Sequence, residues 1–129
     1  MTDITERTEA LLTAMGWTRR LNGMWAVDVP KWERDTVTAA RPSIDWCFRH
    51  AITWATEHEL DVSVRREKSQ QMDGEWWHHC TVRIRAVSDV GNHNHTMQLA
   101  KFWLPGEPDR TAEAIVTALY DALMGERDG

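Results

Sequence analysis

The chain has 129 residues, a formal net charge of −5 and a pI near 5.6. This length suits one hydrophobic core, so we predict a single domain over residues 1–125 and a flexible tail over residues 126–129. The acidic balance argues against a dedicated nucleic-acid-binding protein, which is usually basic. No apolar run reaches the roughly 20 residues of a membrane span, and the polar opening MTDITERTEA is unlike a signal peptide. We therefore expect a cytoplasmic protein.

The first predicted element is a helix over residues 4–15, whose apolar residues recur at helical spacing. Asp3 is a suitable N-cap, and Gly16 can adopt the left-handed conformation that ends a helix. Asn22-Gly23 then lies between two short segments that each carry a tryptophan, which predicts a β-hairpin with a type I′ turn. The strands of this hairpin are predicted over residues 17–21 and 24–29.

The later elements follow from the same periodicities and from turn residues. Residues 31–42 are predicted as a loop, and Ser43 is a suitable cap for the helix that follows. The remaining predicted elements are that helix to residue 59, strands over 61–68, 76–87 and 95–104, and a helix over 110–124 capped by Asp109. Short connections between the last three strands predict an antiparallel meander. The predicted fold class is α+β: one mostly antiparallel sheet of about five strands packed with three helices, in the order α-β-β-α-β-β-β-α.

Three stretches carry a resemblance to a phage family. They are the first helix running into MGW and the GMWAV strand, the RPSIDW segment at residues 41–46, and TAEAIVTAL at residues 111–119. In these stretches, about half of the chain, the sequence resembles the phage ABA-sandwich domain family, small proteins of phages and prophages. The resemblance implies an α/β/α sandwich-like fold and a phage origin, but no catalytic residues. The segment over residues 61–104 is longer and richer in His and Arg than the family leads us to expect.

Histidine and cysteine residues recur along the chain, at Cys47, His50, His58, His78, His79, Cys80, His93 and His95. Zinc favours tetrahedral sets of such ligands. However, successive residues of a strand point to opposite faces, so His78 and His79 cannot both face one site without a bulge. The alternative is that both cysteines are small core residues and that most histidines lie at the surface or in turns. We predict no metal and no cofactor, and a zinc-dependent enzyme is the third hypothesis for function.

The sequence contains no recognisable catalytic motif. It has no Gly-x-Ser-x-Gly elbow and no phosphate-binding glycine loop, and its carboxylates show no local pairing typical of glycoside hydrolysis. Cys47 and Cys80 fall on predicted apolar faces, where a thiol is unreactive. We therefore predict that the protein is not an enzyme and has no catalytic residues.

One face of the longest predicted strand combines cations with aromatic side chains. Alternation places Cys80, Val82 and Ile84 inward, and it places Trp77, His79, Arg83 and Arg85 outward together with Arg65 of the preceding strand. Arginine forms bidentate hydrogen bonds with phosphate or carboxylate, and tryptophan offers a stacking surface, so this face suits an anionic or planar partner. Two other interpretations are an ordinary solvated sheet face, and a face covered by a helix with its arginines paired to carboxylates.

The chain has eight tryptophans, which cannot all be fully buried in so small a domain. The tryptophans predicted to be exposed are Trp32, Trp46 and Trp77, whereas Trp76 should point inward. Exposed tryptophan is common in interfaces, and the alternative is packing against the stems of Lys and Arg.

These observations predict a small phage-encoded accessory protein that acts by binding in the cytoplasm of the host. The first hypothesis is an inhibitor of a host or bacterial-defence protein. The second is a nucleotide or nucleic-acid binding module that uses the basic and aromatic face. The candidate binding residues are Arg65, Trp77, His79, Arg83, Arg85, Trp46 and Trp32.

Overall fold

A computed structural model describes residues 4–26, 36–86 and 97–123 of the chain. Its elements in chain order are helix α1 (Ile4–Ala14), strands β1 (Thr18–Arg19), β2 (Trp25–Ala26) and β3 (Thr36–Val37), helix α2 (Ile44–Trp46), a π-helical turn (Cys47–Ala51), helix α3 (Ile52–Glu57), strands β4 (Leu60–Gln70), β5 (Trp76–Ala86) and β6 (Met97–Trp103), and helix α4 (Thr111–Leu123). Helix α2, the π-helical turn and α3 form one continuous unit, which we call the middle helix. The α+β class is confirmed, while the predicted cap Asp3 and the predicted tail lie outside the described residues.

The described strands form two antiparallel sheets of three strands each, so the prediction of one sheet of about five strands is wrong. The smaller sheet has the order β1-β2-β3, and its strands are only two residues long. The larger sheet has the order β4-β5-β6. Strand β3 lies inside the segment that is predicted as a loop. The sequence does not indicate this strand, because two residues are too few to show an alternating pattern.

The hydrophobic core lies between one face of the β4-β5-β6 sheet and the helices. Cys80, Val82 and Ile84 of β5 are buried, as alternation predicts, and helix α4 packs against β5 and β6. Helix α1 packs against α4, and α3 packs against β4. We call this side of the sheet the inner face. Since the described helices lie on this one side, the α/β/α layering that the resemblance implies is not reproduced around the larger sheet in the described part of the chain.

The π-helical turn changes which side chains of the middle helix are buried. The N–H of Ile52 donates to the carbonyl of Cys47, five residues earlier, so this turn is wider than an α-helical turn. Trp46 is predicted to be exposed. Instead, Trp46 is 3% exposed, and Phe48, two residues later, is 46% exposed. The predicted cap is confirmed, because the hydroxyl of Ser43 accepts the N–H of Trp46 at 3.0 Å.

The β1-β2 and β4-β5 hairpins end in the same kind of turn. The N–H of Gly23 donates to the carbonyl of Arg20, the N–H of Gly74 donates to the carbonyl of Gln71, and the two glycines have φ of 84° and 86°. This is a type I turn followed by a left-handed residue, so the predicted type I′ turn at Asn22-Gly23 is wrong although the hairpin is confirmed. Strands β4 and β5 then pair without a bulge over their whole length. None of the described helices is long and apolar enough to span a bilayer.

Candidate functional site

The side of the β4-β5-β6 sheet that faces away from the core carries most of the predicted binding residues, and we call it the outer face. Its residues are Asp61, Ser63, Arg65, Glu67 and Ser69 of β4, Trp77, His79, Thr81, Arg83 and Arg85 of β5, and Gln98, Ala100 and Phe102 of β6. No described helix lies over this face, and most of these side chains are exposed. In the described part of the chain, the interpretation of a helix-covered face is therefore wrong.

Two of the predicted arginines lie at one end of the outer face. Arg85 is directly opposite Asp61 and donates to its Oδ2 at 3.2 Å. Arg83 donates through Nε to the side-chain oxygen of Gln98 at 3.1 Å, and no carboxylate among the described residues pairs with it. The Arg83 guanidinium therefore keeps its charge available to a partner, whereas that of Arg85 is largely neutralised.

His79 lies in a cluster of side chains near the other end of the outer face. Its Nε2 is 2.9 Å from the hydroxyl of Ser69 and 3.5 Å from Oε2 of Glu67, and its ring lies 5.4 Å from that of Phe102. Glu67 also forms an ion pair with Arg65. Three arginines and two carboxylates thus share the outer face, which makes it mixed in charge rather than strongly basic.

Phe102 and Trp77 are the large aromatic side chains of the outer face. Phe102 is 48% exposed, and Trp77 is partly buried opposite Ser69. Phe102 is missing from the predicted site. The sequence contains a signal for it, because alternation along the predicted strand 95–104 places the adjacent aromatic residues Phe102 and Trp103 on opposite faces, so one of the two points outward.

Two other tryptophans differ from prediction. Trp46 is buried and packs edge-on against Trp17 at a ring distance of 6.1 Å, so the prediction that it is an exposed binding residue is wrong. The cause is the rotation imposed by the π-helical turn. Trp76 lies on the inner face, as predicted, but is 50% exposed because it lies at the end of the β4-β5 hairpin, beyond the buried Cys80. Trp32 lies outside the described residues.

A groove of about 310 Å³ lies beside Phe102, between the end of β6 and the start of helix α4. It is lined by Phe102, Trp103, Glu107, Pro108, Arg110 and Glu113. Arg110 donates to both carboxylate oxygens of Glu113, at 2.9 and 3.0 Å, so the two charges neutralise each other. The aromatic rings and Pro108 supply apolar walls that suit an apolar side chain of a partner.

A second cleft, of about 240 Å³, lies at the end of the β4-β5 hairpin, and we call it the hairpin cleft. It is lined by Arg66, Glu67, Lys68, His78, His79 and Trp103. The rings of His78 and Trp103 are stacked, with centroids 5.6 Å apart and planes inclined by 18°. The cleft brings two cations and a stacked aromatic pair together on a surface that was not predicted as a site.

Asp109 connects the hairpin cleft to the start of helix α4. Its Oδ1 accepts the N–H of Thr111 at 2.8 Å, which confirms the predicted capping role, and its Oδ2 forms an ion pair with Arg66. Burial alone would raise the pKa of Asp109, but hydrogen bonding to Thr111 and the charge of Arg66 outweigh this effect, so the pKa lies below its usual value. Arg66 is thereby held in a fixed position next to the cleft.

Neither cysteine is placed for nucleophilic chemistry. Cys47 and Cys80 are both fully buried, and burial raises the pKa of the Cys47 thiol to about 12 and also raises that of Cys80. A thiol that stays protonated is a poor nucleophile and a poor metal ligand. Within residues 4–26, 36–86 and 97–123, no group of three or more His, Cys, Asp or Glu side chains is arranged to hold a metal ion.

Comparison with known proteins adds no relative to this description. No family model, no curated protein and no solved structure matches the chain. The features that bear on function are therefore those of the chain itself: the outer face, the groove beside Phe102 and the hairpin cleft.

Proposed function

We propose that this protein is a small accessory protein of the phage type that binds a partner protein through its outer face, and that it inhibits a host or bacterial-defence protein by covering part of its surface. The observation that carries the proposal is an open sheet face on which aromatic side chains lie among mostly paired charges. The proposed origin rests on the resemblance of three sequence stretches to a phage family, and the proposed class of target rests on that origin.

The charges of the outer face favour a protein partner over nucleic acid. Nucleic-acid binding depends on unpaired cations that displace counterions from phosphates. Here Asp61 and Glu67 pair with two of the three arginines, and the whole chain carries a net charge of −5. Protein interfaces instead combine aromatic residues and arginine with few unpaired charges.

The size of the outer face is consistent with a protein interface. Strands β4 and β5 each have 11 residues and β6 has 7. With about 3.3 Å per residue and 4.8 Å between strands, the face has a projected area of roughly 450 Å². A standard interface buries about 800 Å² of accessible surface on each partner, so we expect the groove beside Phe102 to contribute to the interface as well.

Phe102 and Arg83 are the side chains best placed to bind the partner tightly. Half of the Phe102 side chain is in contact with water and would be desolvated on binding. Arg83 offers a guanidinium that no described carboxylate neutralises, and it can form charge-assisted hydrogen bonds with a carboxylate of the partner. Aromatic residues and arginine are the residue types that most often dominate binding energy in interfaces.

The test is affinity capture with variants matched for residue type and exposure. Tagged protein expressed in bacterial cells is compared with its Phe102→Ala and Phe48→Ala variants, since Phe48 is 46% exposed on the middle helix, away from the outer face. We expect wild type and Phe48→Ala to capture the same protein and Phe102→Ala to lose it. With purified partner, Phe102→Ala should weaken binding by about 2 kcal/mol, roughly 30-fold.

Two results would contradict the proposal. Capture of no protein by the wild type would rule out a protein-binding function in the cells tested. Equal retention of a partner by Phe102→Ala and Phe48→Ala would rule out the outer face as the binding surface. The inhibitory part of the proposal requires, in addition, that wild-type protein reduces the activity of the purified partner and that Phe102→Ala does so less well.

A nucleotide or nucleic-acid partner is the second candidate for the outer face, and the Arg83 guanidinium is the observation that favours it. If it is correct, single-stranded DNA binds at low salt, and changing Arg83 and Arg85 to Ala weakens binding and reduces its salt dependence. Unchanged affinity in this double variant would exclude the candidate.

A further inference from the structure

Four of the residues that line the hairpin cleft lie on the inner face, where the β4-β5 hairpin extends past the buried core, and Glu67 and His79 of the outer face also border it. The register places Lys68 directly opposite His78, and His78 directly opposite Trp103. These three side chains form one row across the sheet, and Arg66 lies on the same face two residues before Lys68. An ammonium, a guanidinium and an imidazole therefore lie beside one cleft of about 240 Å³.

One cation of the hairpin cleft has no carboxylate partner among the described residues, as is also true of Arg83 on the outer face. No acidic side chain among the described residues forms an ion pair with Lys68, whereas Arg66 pairs with Asp109, which also accepts the N–H of Thr111. Glu67 also borders the cleft, and its carboxylate interacts with Arg65 and His79. Lys68 can therefore form an ion pair with a bound anion, and the ion pair with Asp109 holds Arg66 at the cleft.

The aromatic side chains of this region provide a planar surface next to the cations. His78 is stacked on Trp103, which fixes the orientation of the imidazole at the cleft. Trp76 lies two residues before His78, on the same face of β5, and is 50% exposed. The exposed indole of Trp76 therefore offers a stacking surface next to the cross-strand pair of Lys68 and His78.

We propose that the hairpin cleft binds a nucleoside monophosphate, with the phosphate between Lys68, Arg66 and His78 and the base stacked on Trp76. Charge-assisted hydrogen bonds from ammonium and guanidinium groups are the usual means of binding phosphate. The cleft volume suits a phosphate group rather than a whole nucleotide, so the base lies outside it. Any base can stack on an exposed indole, so the site binds nucleotides with different bases about equally well.

The proposal does not depend on the proposed function, because the side chains that would bind the nucleotide (Lys68, Arg66, His78 and Trp76) lie on the inner face, whereas Phe102 and Arg83 lie on the outer face. The test uses two variants with the same change of charge. Lys68→Gln removes one positive charge from the hairpin cleft, and Arg19→Gln removes one positive charge from an exposed position of the smaller sheet, outside both proposed sites. Loss of nucleotide binding in Lys68→Gln alone, with partner capture retained, separates the two proposals.

The experiment is isothermal titration of the purified chain with AMP, with inorganic phosphate and with adenosine, together with amide and indole N–H shifts in nitrogen-15 spectra. We expect AMP to bind more tightly than phosphate or adenosine and to shift the signals of Lys68, His78 and Trp76. Lys68→Gln should weaken binding of AMP and of phosphate about tenfold, and Arg19→Gln should leave both unchanged. Trp76→Leu should weaken binding of AMP but not of phosphate.

Several outcomes would overturn the proposal. No heat and no spectral change with millimolar AMP would exclude the site. Equal weakening in Lys68→Gln and Arg19→Gln would show general charge attraction instead of binding in the cleft. Equal affinities for AMP and phosphate, unaffected by Trp76→Leu, would refute the nucleoside part and leave a site for phosphate alone.

Discussion

Phe102 and Trp103 are adjacent in β6 but lie on opposite faces of the sheet, and they provide a direct test of whether the outer face is open. Phe102 is 48% exposed, and Trp103 is 6% exposed and stacked on His78. We predict that Trp103→Ala lowers the free energy of unfolding much more than Phe102→Ala. The comparison is well matched, because both changes remove an aromatic ring from the same strand.

The expected magnitudes follow from burial. Truncation of a buried Trp or Phe to Ala costs about 3–5 kcal/mol, which applies to Trp103. Full burial of a Phe side chain is worth about 1.5–3 kcal/mol, and only half of Phe102 is buried, so loss of burial costs about 1 kcal/mol. Its cross-strand contact with His79 adds a few tenths to about 1 kcal/mol, giving about 1–2 kcal/mol in total.

The assay is urea denaturation followed by far-ultraviolet circular dichroism, with the free energy and the m value compared for each variant. If Trp103→Ala does not fold, Trp103→Phe replaces it and should still cost more than a conservative change of Phe102 to Leu. Equal losses for the two positions would refute the reasoning. The outer face would then be covered in the complete chain, and it could not serve as a docking surface.

Three further predictions concern the turn, the thiols and the acidic cap. Gly74→Ala should cost about 1 kcal/mol in urea denaturation, because Gly74 has φ of 86° even though a methyl group there would meet no neighbour. At pH 8, Cys47 and Cys80 should react with a disulfide reagent only as fast as the protein opens, so rapid reaction of native protein would contradict their burial. Asp109→Asn should lower stability by about 1 kcal/mol at neutral pH. Since the pKa of Asp109 is lowered by folding, its contribution is present above the unfolded pKa of about 3.9 and is lost as the pH falls through the folded pKa, so denaturation curves of wild type and variant should converge in acid.

The long elements could be predicted from the sequence because their residues repeat with a clear period. Helices α1 and α4 and strands β4, β5 and β6 all lie close to their predicted positions. Alternation also assigned Arg65, His79 and Arg83 to one face correctly. These predictions hold because a long element with one buried side contains many apolar residues at a regular spacing, and each of them indicates the same orientation.

The remaining features depend on contacts that a local sequence pattern does not indicate. A π-helical turn changes which side of a helix is buried, so Trp46 was placed on the wrong side although its helix was predicted. The pairing of Arg85 with Asp61 and of His79 with Glu67 depends on the register of two strands, and that register is set by the turn at Gly74. The smaller sheet consists of strands too short to show any period.

The β4-β5 hairpin is longer than the core requires, and this bears on both proposed sites. Its strands have 11 residues, about twice the usual length, yet the fully buried residues of β5 begin only at Cys80. Folding orders the backbone and side chains of the hairpin beyond Cys80, which costs conformational entropy, but it buries little apolar area there. This part of the hairpin therefore contributes little to the stability of the fold. That part carries Lys68, Trp76 and His78 on one face and His79 on the other. The extension thus presents two chemically different surfaces on one pair of strands, and these are the surfaces that we propose for a protein partner and for a nucleotide.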